Sequence, residues 1–500
     1  MSRIACALGG ATTLLVLATA ARAQTAAPSE AGQTRNPAAP IAQSYPAAAA
    51  GDGATTNGFN LSRWAEDWSG YRDAKKRDDP LDRLKFLPLD GDGDVYLTLS
   101  GEFRLRVNHT TNPNLRDARA QRQDINRIVA GADLHVGPHL RAFAEVAHGG
   151  ISGVELGAPA ATLRNDLVVQ QAFVEGDVDV DVGGAGVSLG ARYGRQEFTD
   201  GPNLLVSQRD NNTIRYTLNG LRLWARGRTV RADLFDLKPT AYGDLGTEDD
   251  VSDPARRFSG VTLGFVVPRD WFGGSKLYVD PFFWRRRNMV GAWGGRIGPA
   301  TRYYVGTRVW GDAGPLTIDW TVNHQYGTYI AQRIDAWQVF AAQTLRLGRA
   351  ATAPRIGFHA DYASGGGGYG DGKLRDAYAP FGNNIYYSYA LFLTPSNLVA
   401  LAPNVTVSPL RQVRVTAEYQ FTWRDSVTDA VYRANGQPFA GTQNVRARKV
   451  ADVARLQAVW TLSPRVSVTG RYEHLAAGPA LTEAGFKSSD FLAGWVSFRF

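Results

Sequence analysis

Arginine residues recur at every second position in several short segments of this sequence, with apolar residues between them. In the first such segment Arg104 and Arg106 alternate with Phe103, Leu105 and Val107. Because successive side chains of a β-strand point to opposite faces, this spacing predicts one apolar face and one cationic face. A guanidinium group remains charged at neutral pH and binds a carboxylate through two hydrogen bonds at once. The chemistry that these residues indicate is the binding of anions.

The same alternation, followed through the later segments, predicts a larger set of charged residues on the face opposite the apolar one. The arginines of this set are Arg104, Arg106, Arg141, Arg192, Arg215, Arg222, Arg231, Arg302, Arg308, Arg355, Arg414, Arg455 and Arg471. The acidic members include Glu102, Asp319 and Glu418, and they are fewer than the arginines. A bulge or a slip in register would turn individual members to the other face. We therefore predict net positive charge along this face as a whole.

The residues from Val95 to the end of the chain carry this alternation almost without interruption. Counting the alternating segments gives about 18 predicted strands. The last of them, Asp490–Phe500, has Leu492 and Phe498 on one face and Trp495 on the other. An exposed strand edge at the end of a chain invites aggregation unless it pairs with another strand. Pairing of the last strand with the first closes a barrel and removes both edges.

The connections between the predicted strands fall into a short set and a long set that alternate along the chain. The short set includes 137–139, 225–228, 311–315, 409–412 and 463–465, with 176–186 as an exception in length. The long set includes 108–124, 149–166, 239–259, 364–396 and 424–451. Outer-membrane barrels combine an even strand number with short periplasmic turns and long external loops. The sequence thus predicts an all-β protein: a closed antiparallel transmembrane β-barrel of about 18 strands, with short periplasmic turns and long extracellular loops.

Two interpretations of the cationic face follow from a barrel of this size. In a small barrel the charged side chains pair with one another and fill the interior. With about 18 strands the interior is too wide for side chains to fill, so water and solutes enter and fixed arginines attract anions. The wide interior predicts an anion-selective channel, whereas a filled one predicts a sealed barrel with a structural or adhesive role.

The N-terminal part of the sequence predicts export. Residues 1–23 fit a signal peptide, with an apolar run after Arg3 and a small-residue cleavage site ending at Ala23. Residues 24–60 are rich in alanine and proline and predict a disordered periplasmic leader. We expect 61–94 to be a periplasmic lead-in segment and 95–500 to be the barrel. Cys6 is the one cysteine and lies in the predicted signal peptide, so we expect no thiol chemistry in the mature chain.

Composition and motifs argue against several other classes of protein. No apolar run of about 18 residues follows the signal peptide, which excludes a transmembrane helix. The net charge is +8, but the arginines are spread in strand phase, so we expect no nucleic-acid surface. The histidines lie in no nucleophile motif, and Asp90–Asp94 lacks the closing glutamate of a calcium loop. We therefore expect no catalytic site, metal or cofactor, and a barrel enzyme is the weakest alternative.

Several motifs resemble those of the alginate export family of outer-membrane barrels. They are Trp64-Ala-Glu-Asp67, Lys85-Phe-Leu-Pro-Leu89, Gly101-Glu-Phe-Arg-Leu-Arg106, Arg192-Tyr-Gly-Arg-Gln196, Gly201-Pro202, Leu218-Asn-Gly-Leu-Arg222 and Tyr362-Ala-Ser-Gly365. The resemblance extends from about Trp64 to Phe500. It implies a monomeric barrel whose pore is lined by Arg104, Arg106, Arg192, Arg195 and Arg222. Arg195 is out of phase with Arg192, so its place in the pore depends on the resemblance alone.

The sequence differs from the alginate exporter of that family, which narrows its pore with an external loop and a long periplasmic turn. Here the corresponding turn is only 463–465, and 149–166 is the candidate external loop. The aromatic-rich loop 364–396 either folds inward as a constriction or lies at the membrane rim. We predict a channel for an alginate-like anionic polysaccharide or for small carboxylates. The expected partners are outer-membrane lipid and the barrel-assembly machinery, which would recognise the last strand through Phe500.

Overall fold

The computed structural model describes residues 59–243, 246–370, 372–434 and 436–500. The predicted signal peptide 1–23 and all but the last two residues of the predicted leader 24–60 lie outside the described residues. Our prediction of the cleavage site near Ala23 therefore remains a prediction.

Twenty antiparallel strands belong to this part of the chain, and eighteen of them form the wall of one closed barrel. The short strands β1 (Leu87–Pro88) and β9 (Val251–Ser252) pair only with β2 and β8. The wall strands are β2 (Val95–Thr110), β3 (Gln121–Val136), β4 (Leu140–Val154), β5 (Asn165–Asp181), β6 (Gly186–Gln196), β7 (Leu218–Arg226), β8 (Val230–Ala241), β10 (Arg256–Val266), β11 (Lys276–Trp293), β12 (Arg296–Ala313), β13 (Leu316–Tyr329), β14 (Gln332–Arg346), β15 (Arg355–Ala363), β16 (Leu398–Leu410), β17 (Val413–Trp423), β18 (Lys449–Thr461), β19 (Val466–Ala477) and β20 (Ser489–Arg499). The predicted strand number is confirmed.

The barrel closes between its last strand, β20, and its first strand, β2. Phe103 lies opposite Phe498 in this ladder, and Arg499 lies opposite Glu102. The main chain of Phe500 continues the pairing, with its N–H donating to the carbonyl oxygen of Gly101 at 3.1 Å. The ring of Phe500 covers Gly101 so closely that a Cβ there would lie 2.3 Å from a ring carbon. The terminal aromatic residue thus packs over the closure, and any side chain at position 101 would displace its ring.

The outer face of the wall is apolar, as the alternation predicts. Large hydrophobic side chains point outward on strands around the whole barrel, including Leu105 (47% exposed), Val305 (45%) and Leu456 (43%). An outward-facing apolar band flanked by aromatic residues is the surface that a transmembrane barrel presents to lipid. The hydrocarbon of a membrane removes this surface from water, which stabilises the folded barrel.

The two ends of the barrel carry connections of different length. The predicted long connection 176–186 was wrong, because β5 continues to Asp181 and β6 begins at Gly186. Long loops gather at the other end, among them 197–217, 364–397 and 424–448. We take that end as extracellular, since external loops of such barrels are long and periplasmic turns are short. The extracellular end also has two tight turns, 294–295 and 330–331, so the alternation of short and long connections holds for most of the barrel but not for all of it.

Two long loops fold into the barrel and pair with each other there. Their main chains meet where the N–H of Phe381 donates to the carbonyl oxygen of Leu205 at 2.9 Å. Both side chains are buried, and they pack in one apolar cluster with the inward-facing Phe258 and Trp284. The extracellular half of the interior is therefore an apolar core, which differs from the charged lumen that the sequence predicts. Strand alternation alone does not reveal which inward positions a loop will cover.

The described helices are short. They are the 3₁₀ helices Arg63–Ala65, Ser69–Arg72, Ala74–Lys76, Pro80–Lys85, Pro113–Leu115, Arg269–Phe272, Asn384–Tyr386 and Thr442–Asn444, and the α-helix Pro479–Thr482. In the part of the chain that the structure describes, no helix has the length and apolar character needed to cross a membrane. The first four belong to the predicted lead-in segment, which Pro80 and the capping box of Asp79 and Asp82 help to fold.

Candidate anion-binding site

The inserted loop 197–217 places one carboxylate among the arginines of the wall. The Asp210 carboxylate lies 2.8 Å from Nη2 of Arg127 and 3.1 Å from Nη2 of Arg104. It also accepts from Arg215, whose Nη2 lies 2.7 Å away. The alternation predicts Arg215 on a strand, and this prediction was wrong: Arg215 belongs to the loop itself, and β7 begins only at Leu218. Three guanidinium groups therefore converge on a single carboxylate inside the barrel.

A second carboxylate, that of Glu102, contacts two of the arginines that bind Asp210. It lies 3.1 Å from Nη2 of Arg104 and contacts Arg127 more closely still. Its side chain is 1% exposed. A buried carboxylate requires charged or hydrogen-bonding partners, because its transfer from water into a low-dielectric interior is costly. Glu102 and Asp210 together account for the charges of Arg104 and Arg127, so Arg104 is not the unpaired cation that the sequence predicts.

The lead-in segment closes the site from the periplasmic side. Nη1 of Arg63 lies 2.9 Å from Oε2 of Glu145, and Nη2 of Arg63 contacts Glu102. The Oγ of Ser62 donates to Oε2 of Glu197 at 2.6 Å. The indole of Trp64 lies 3.8 Å below the guanidinium of Arg192. The segment that the sequence predicts to be a periplasmic lead-in thus reaches into the barrel and binds its charged interior.

Arg106 differs from its neighbours in having neutral partners. Its Nε donates to Oδ1 of Asn108 at 2.7 Å, and its Nη1 donates to the main-chain oxygen of Asn211 at 3.0 Å. Among the described residues no carboxylate lies within 4.0 Å of this guanidinium, although Arg106 is only 8% exposed. The ring of Trp495 supports it at 5.1 Å, a favourable cation–π contact. Arg106 thus presents a charge that an added anion can neutralise.

Arg471 lies beside Arg106 and shares two of its contacts. Its guanidinium is 5.0 Å from the ring of Trp495, and its Nη1 donates to Oδ1 of Asn211 at 3.2 Å. It also lies 4.8 Å from the ring of Tyr389 on the inserted loop 364–397. Two guanidinium groups and two aromatic rings therefore meet around the side chain of Asn211. Such a group recognises a carboxylate and a flat ring together.

A cavity of about 200 Å³ leads to this group of side chains. It lies among extracellular loops, and its walls include Arg106, Asn108, Asn211 and Tyr389. A second cavity of about 10 Å³ continues between Arg104, Arg106 and Arg127. The larger volume accepts a small organic molecule in part, whereas the smaller one holds about a single water. The cavity therefore ends at the arginines that surround Asp210 and Asn211.

Most of the other arginines predicted for this face lie inside the wall and form ion pairs there. Arg308 pairs with Asp319 at 2.7 Å, and Arg222 pairs with Asp233 at the same distance. The remaining pairs are Arg141 with Glu175, Arg192 with Glu175, Arg231 with Asp200 and Arg455 with Glu418. Charges that are paired in this way attract a passing anion less than free charges do. The positive charge that carboxylates leave unbalanced is therefore concentrated in one part of the interior, near the cavity.

Four predicted residues have other surroundings. Arg302 is buried, and its Nη1 donates to Oε1 of Gln325 at 2.6 Å. Arg355 and Arg414 are exposed near the periplasmic ends of β15 and β17. Arg195 shares its strand face with Tyr193, which is 66% exposed, and its Nη2 donates to the main-chain oxygen of Asp250 at 2.7 Å. None of these four takes part in the group around Asp210.

The sequence did not identify Arg63 and Asp210 as members of the site. Neither residue lies on a wall strand, so the alternation that found the other charged residues does not apply to them. One signal was present for Asp210: the polar run Ser207–Asn212 directly follows the apolar run Leu204–Val206. An apolar run inside a loop indicates burial of that loop.

The wall is a closed barrel of eighteen strands with an apolar outer band and a charged interior. These features define a β-barrel protein of the bacterial outer membrane. The profile of the alginate export family matches residues 95–494, and the chain belongs to this family. The resemblance of the sequence motifs is thereby confirmed. A search of curated proteins gives no match.

Solved structures of outer-membrane porins share the fold. OccAB1 of Acinetobacter baumannii has a TM-score of 0.52 at 10% identity, covering 84% of this chain and 99% of that one. A BenF-like porin from Pseudomonas fluorescens Pf-5 has a TM-score of 0.53 at 8% identity, covering 81% and 98%. Pseudomonas aeruginosa OpdK, crystallised with vanillate, has a TM-score of 0.51 at 11% identity, covering 80% and 98%. At these identities the likeness shows the fold of the barrel.

Proposed function

We propose that this protein is an anion-selective channel of the outer membrane that passes solutes bearing a carboxylate. One observation carries the proposal: the extracellular cavity ends at Arg104, Arg106 and Arg127, which belong to a group of five arginines around Asp210 and Asn211. The five arginines are Arg104, Arg106, Arg127, Arg215 and Arg471. Fixed cationic side chains in a pore select anions, provided that each site binds weakly enough for the solute to leave.

Asp210 acts in this proposal as a resident counter-ion. Its carboxylate holds the position in which three guanidinium groups meet, as the carboxylate of a solute would. A solute that binds first at Arg106 competes with Asp210 for the neighbouring arginines. Because Asp210 is on a loop and Arg104 is on a wall strand, the loop is the element that moves when the solute advances. The described structure is the closed state of this channel.

The rings beside the arginines narrow the class of solute. Tyr389 and Phe392 line the cavity, and Trp495 lies beneath Arg106. Aromatic faces pack against the flat or apolar faces of rings, so a ring that carries a carboxylate fits this group of side chains. The family is that of alginate export, and the similar porin OpdK was crystallised with vanillate. Acidic sugars and aromatic acids are therefore the solutes to test first.

A sealed barrel with a structural role is the second candidate function. The apolar cluster of Leu205, Phe258, Trp284 and Phe381 favours it, because these side chains fill the extracellular half of the interior. The narrow second cavity favours it as well. This alternative predicts that the purified barrel conducts no ions in any salt.

Planar bilayer recording decides between the two candidates. We expect reversal potentials in a potassium chloride gradient that show preference for chloride. Vanillate and glucuronate should each reduce the chloride current. Their neutral counterparts, vanillyl alcohol and glucose, should not reduce it, because only a carboxylate competes for the arginines. Cation preference, or equal reduction by each acid and its neutral match, would contradict the channel proposed here. Absence of conductance under all conditions would favour the sealed barrel.

A further inference from the structure

A row of cations crosses the outer face of the barrel near its extracellular end. In the antiparallel ladders Arg257 lies opposite Arg287, Arg287 opposite Thr301, Thr301 opposite Thr328, and Thr328 opposite Arg333. The row therefore runs in register across β10, β11, β12, β13 and β14. Arg257, Arg287 and Arg333 are all exposed, and they point away from the interior. Neither the channel proposed above nor the closure of the barrel uses these residues.

Arg285 adds a fourth cation one step below this row. It is exposed on β11 and lies on the same face as Arg287, two residues away. Asp236 pairs with Arg257. For Arg285, Arg287 and Arg333, the described residues place no carboxylate within 4.0 Å. The face thus carries a local excess of positive charge on an otherwise apolar surface.

The arrangement costs stability in the isolated barrel. Like charges that lie directly opposite each other on neighbouring strands are destabilising, and Arg257 and Arg287 are such a pair, which the single carboxylate of Asp236 beside Arg257 balances only in part. Arg285 stands next to Arg287 on the same face of β11 and diagonally across from Arg257, because it lies opposite Ser259. An anion bound between these side chains would convert the repulsion into attraction. The geometry therefore calls for an anionic partner at this face.

The rows below the arginines indicate where this face sits relative to the membrane. Tyr303 and Tyr326 lie opposite each other directly beneath the Thr301 and Thr328 positions, and their rings stack at 5.1 Å. Beneath them Phe283 lies opposite Val305, and both are exposed. Tyrosine marks the level of the lipid headgroups, and exposed apolar side chains mark the hydrocarbon. The arginine row therefore stands at or just outside the headgroups of the external leaflet.

We propose that Arg257, Arg285, Arg287 and Arg333 form a docking surface for the phosphate groups of a phosphorylated lipid in the outer leaflet. Arginine binds phosphate in a bidentate manner, and adjacent guanidinium groups fit a headgroup with more than one phosphate. The tyrosine row receives the sugar or glycerol part, and Phe283 and Val305 contact the acyl chains. A free phosphate ion would use the arginines alone, so the rows below distinguish the lipid from the ion.

The test uses the full barrel in detergent with lipid A and dephosphorylated lipid A as probes, bound lipid being counted by native mass spectrometry. The test variant replaces Arg257, Arg285 and Arg287 by serine. The control variant replaces by serine three exposed arginines at the same end of the barrel but away from β10–β14: Arg116 and Arg119 on the connection between β2 and β3, and Arg122 on β3. Each basic residue at an anionic surface contributes about 1 kcal/mol, or about fivefold. We expect roughly a hundredfold weaker binding of lipid A by the test variant, and little change in the control.

Three results would overturn the proposal. One is equal binding of lipid A and its dephosphorylated form, and another is the same loss in the control variant. The third is release of bound lipid A by inorganic phosphate at concentrations that leave ionic strength unchanged, which would indicate a free-anion site. Heat-modified migration in gels shows whether each variant is folded. If the triple variant does not fold, Arg285→Ser alone should weaken binding about fivefold, and no change would equally overturn the proposal. Anion selectivity should be the same in all variants, which separates this test from that of the channel.

Discussion

The Oδ1 atom of Asp210 lies 2.8 Å from Nη2 of Arg127, and this ion pair joins an inserted loop to the barrel wall. Arg127 is fixed on β3, whereas Asp210 is on the connection between β6 and β7. The pair thus couples the position of a loop to the charge of the interior. An anion that replaces Asp210 would free the loop without leaving Arg127 unpaired.

Replacing the resident counter-ion should increase anion selectivity. In Asp210→Asn the three arginines around it lose a shared negative charge, so the ratio of chloride to potassium permeability should rise. The free energy of unfolding should fall by about 3 kcal/mol, because a largely buried ion pair is broken from one side. Reversal potentials and urea unfolding in detergent measure the two effects. Asp319→Asn is the control, since its partner Arg308 lies away from the cavity; an unchanged permeability ratio in D210N contradicts the prediction.

Arg106 should contribute to solute binding more than to stability. Its partners Asn108 and Asn211 are neutral, so Arg106→Gln breaks no ion pair within the described structure. A hydrogen bond to a charged group contributes about 1.5–3 kcal/mol, and loss of one should weaken block by vanillate at least about tenfold. The free energy of unfolding should fall less than in D210N, because the change breaks hydrogen bonds to neutral partners and leaves no carboxylate without its ion pair. Arg355→Gln, at the periplasmic end, should leave block unchanged; equal block by wild type and R106Q would exclude Arg106 from the path.

The lead-in segment should limit conductance. Arg63→Ala removes the contacts with Glu102 and Glu145, whose side chains are almost fully buried. We expect a larger single-channel conductance, because the segment no longer holds to the interior, and a loss of about 3–5 kcal/mol in stability. Arg72→Ala is the matched control: Arg72 is 55% exposed and its pair with Asp94 contributes at most about 1 kcal/mol. If R63A and R72A conduct alike, the segment does not obstruct the path.

Two extracellular loops should separate as pH rises. Burial first, and the neighbouring Asp429 second, raise the pKa of Asp376 well above its ordinary value. The N–H of Gly366 donates to both carboxyl groups, at 3.1 and 2.8 Å, and the Nε1–H of Trp293 donates to Asp376 at 2.7 Å. Tyr432 donates to Asp429 at 2.8 Å. The two carboxyl groups thus join the loops 364–397 and 424–448.

The direction of this effect follows from proton binding. Because the pKa of Asp376 is raised in the folded state, the folded state holds the proton longer, and stability is lost as pH rises through the raised pKa. The contribution is complete below the ordinary pKa of an aspartate. Hydrogen–deuterium exchange of 364–397 should therefore quicken with pH beyond the intrinsic chemical rate. Asp429→Asn should weaken this dependence without abolishing it, because the burial of Asp376 remains. A wild-type loop whose protection is constant with pH would contradict the prediction.

Strand alternation was enough to determine the barrel wall. It assigned Phe103, Leu105 and Val107 to the outer face, and it assigned Arg104 and Arg106 to the inner one, because the two faces of a strand alternate regardless of what lies beyond them. The strand number and the closure through the last strand followed in the same way. Errors arose at the boundaries between strands and loops, as at Arg215, which lies on a loop, and at 176–186, most of which lies on strands. Loop conformation depends on contacts with residues far away in the sequence, and such contacts leave no periodic pattern from which a single sequence could predict them.

The sequence by itself determined a lipid-facing barrel of eighteen strands with arginines turned inward, since both properties depend on local periodicity. Only the tertiary structure decided which arginines keep an available charge. Asp210, Glu102 and the lead-in residue Arg63 come from three separate parts of the chain, and folding brings them within a few ångströms of each other. Electrostatic energy depends on distance in space, which the number of arginines in the sequence does not contain. Arg222 lies beside a carboxylate that neutralises its charge, whereas Arg106 has neutral partners and can bind an added anion.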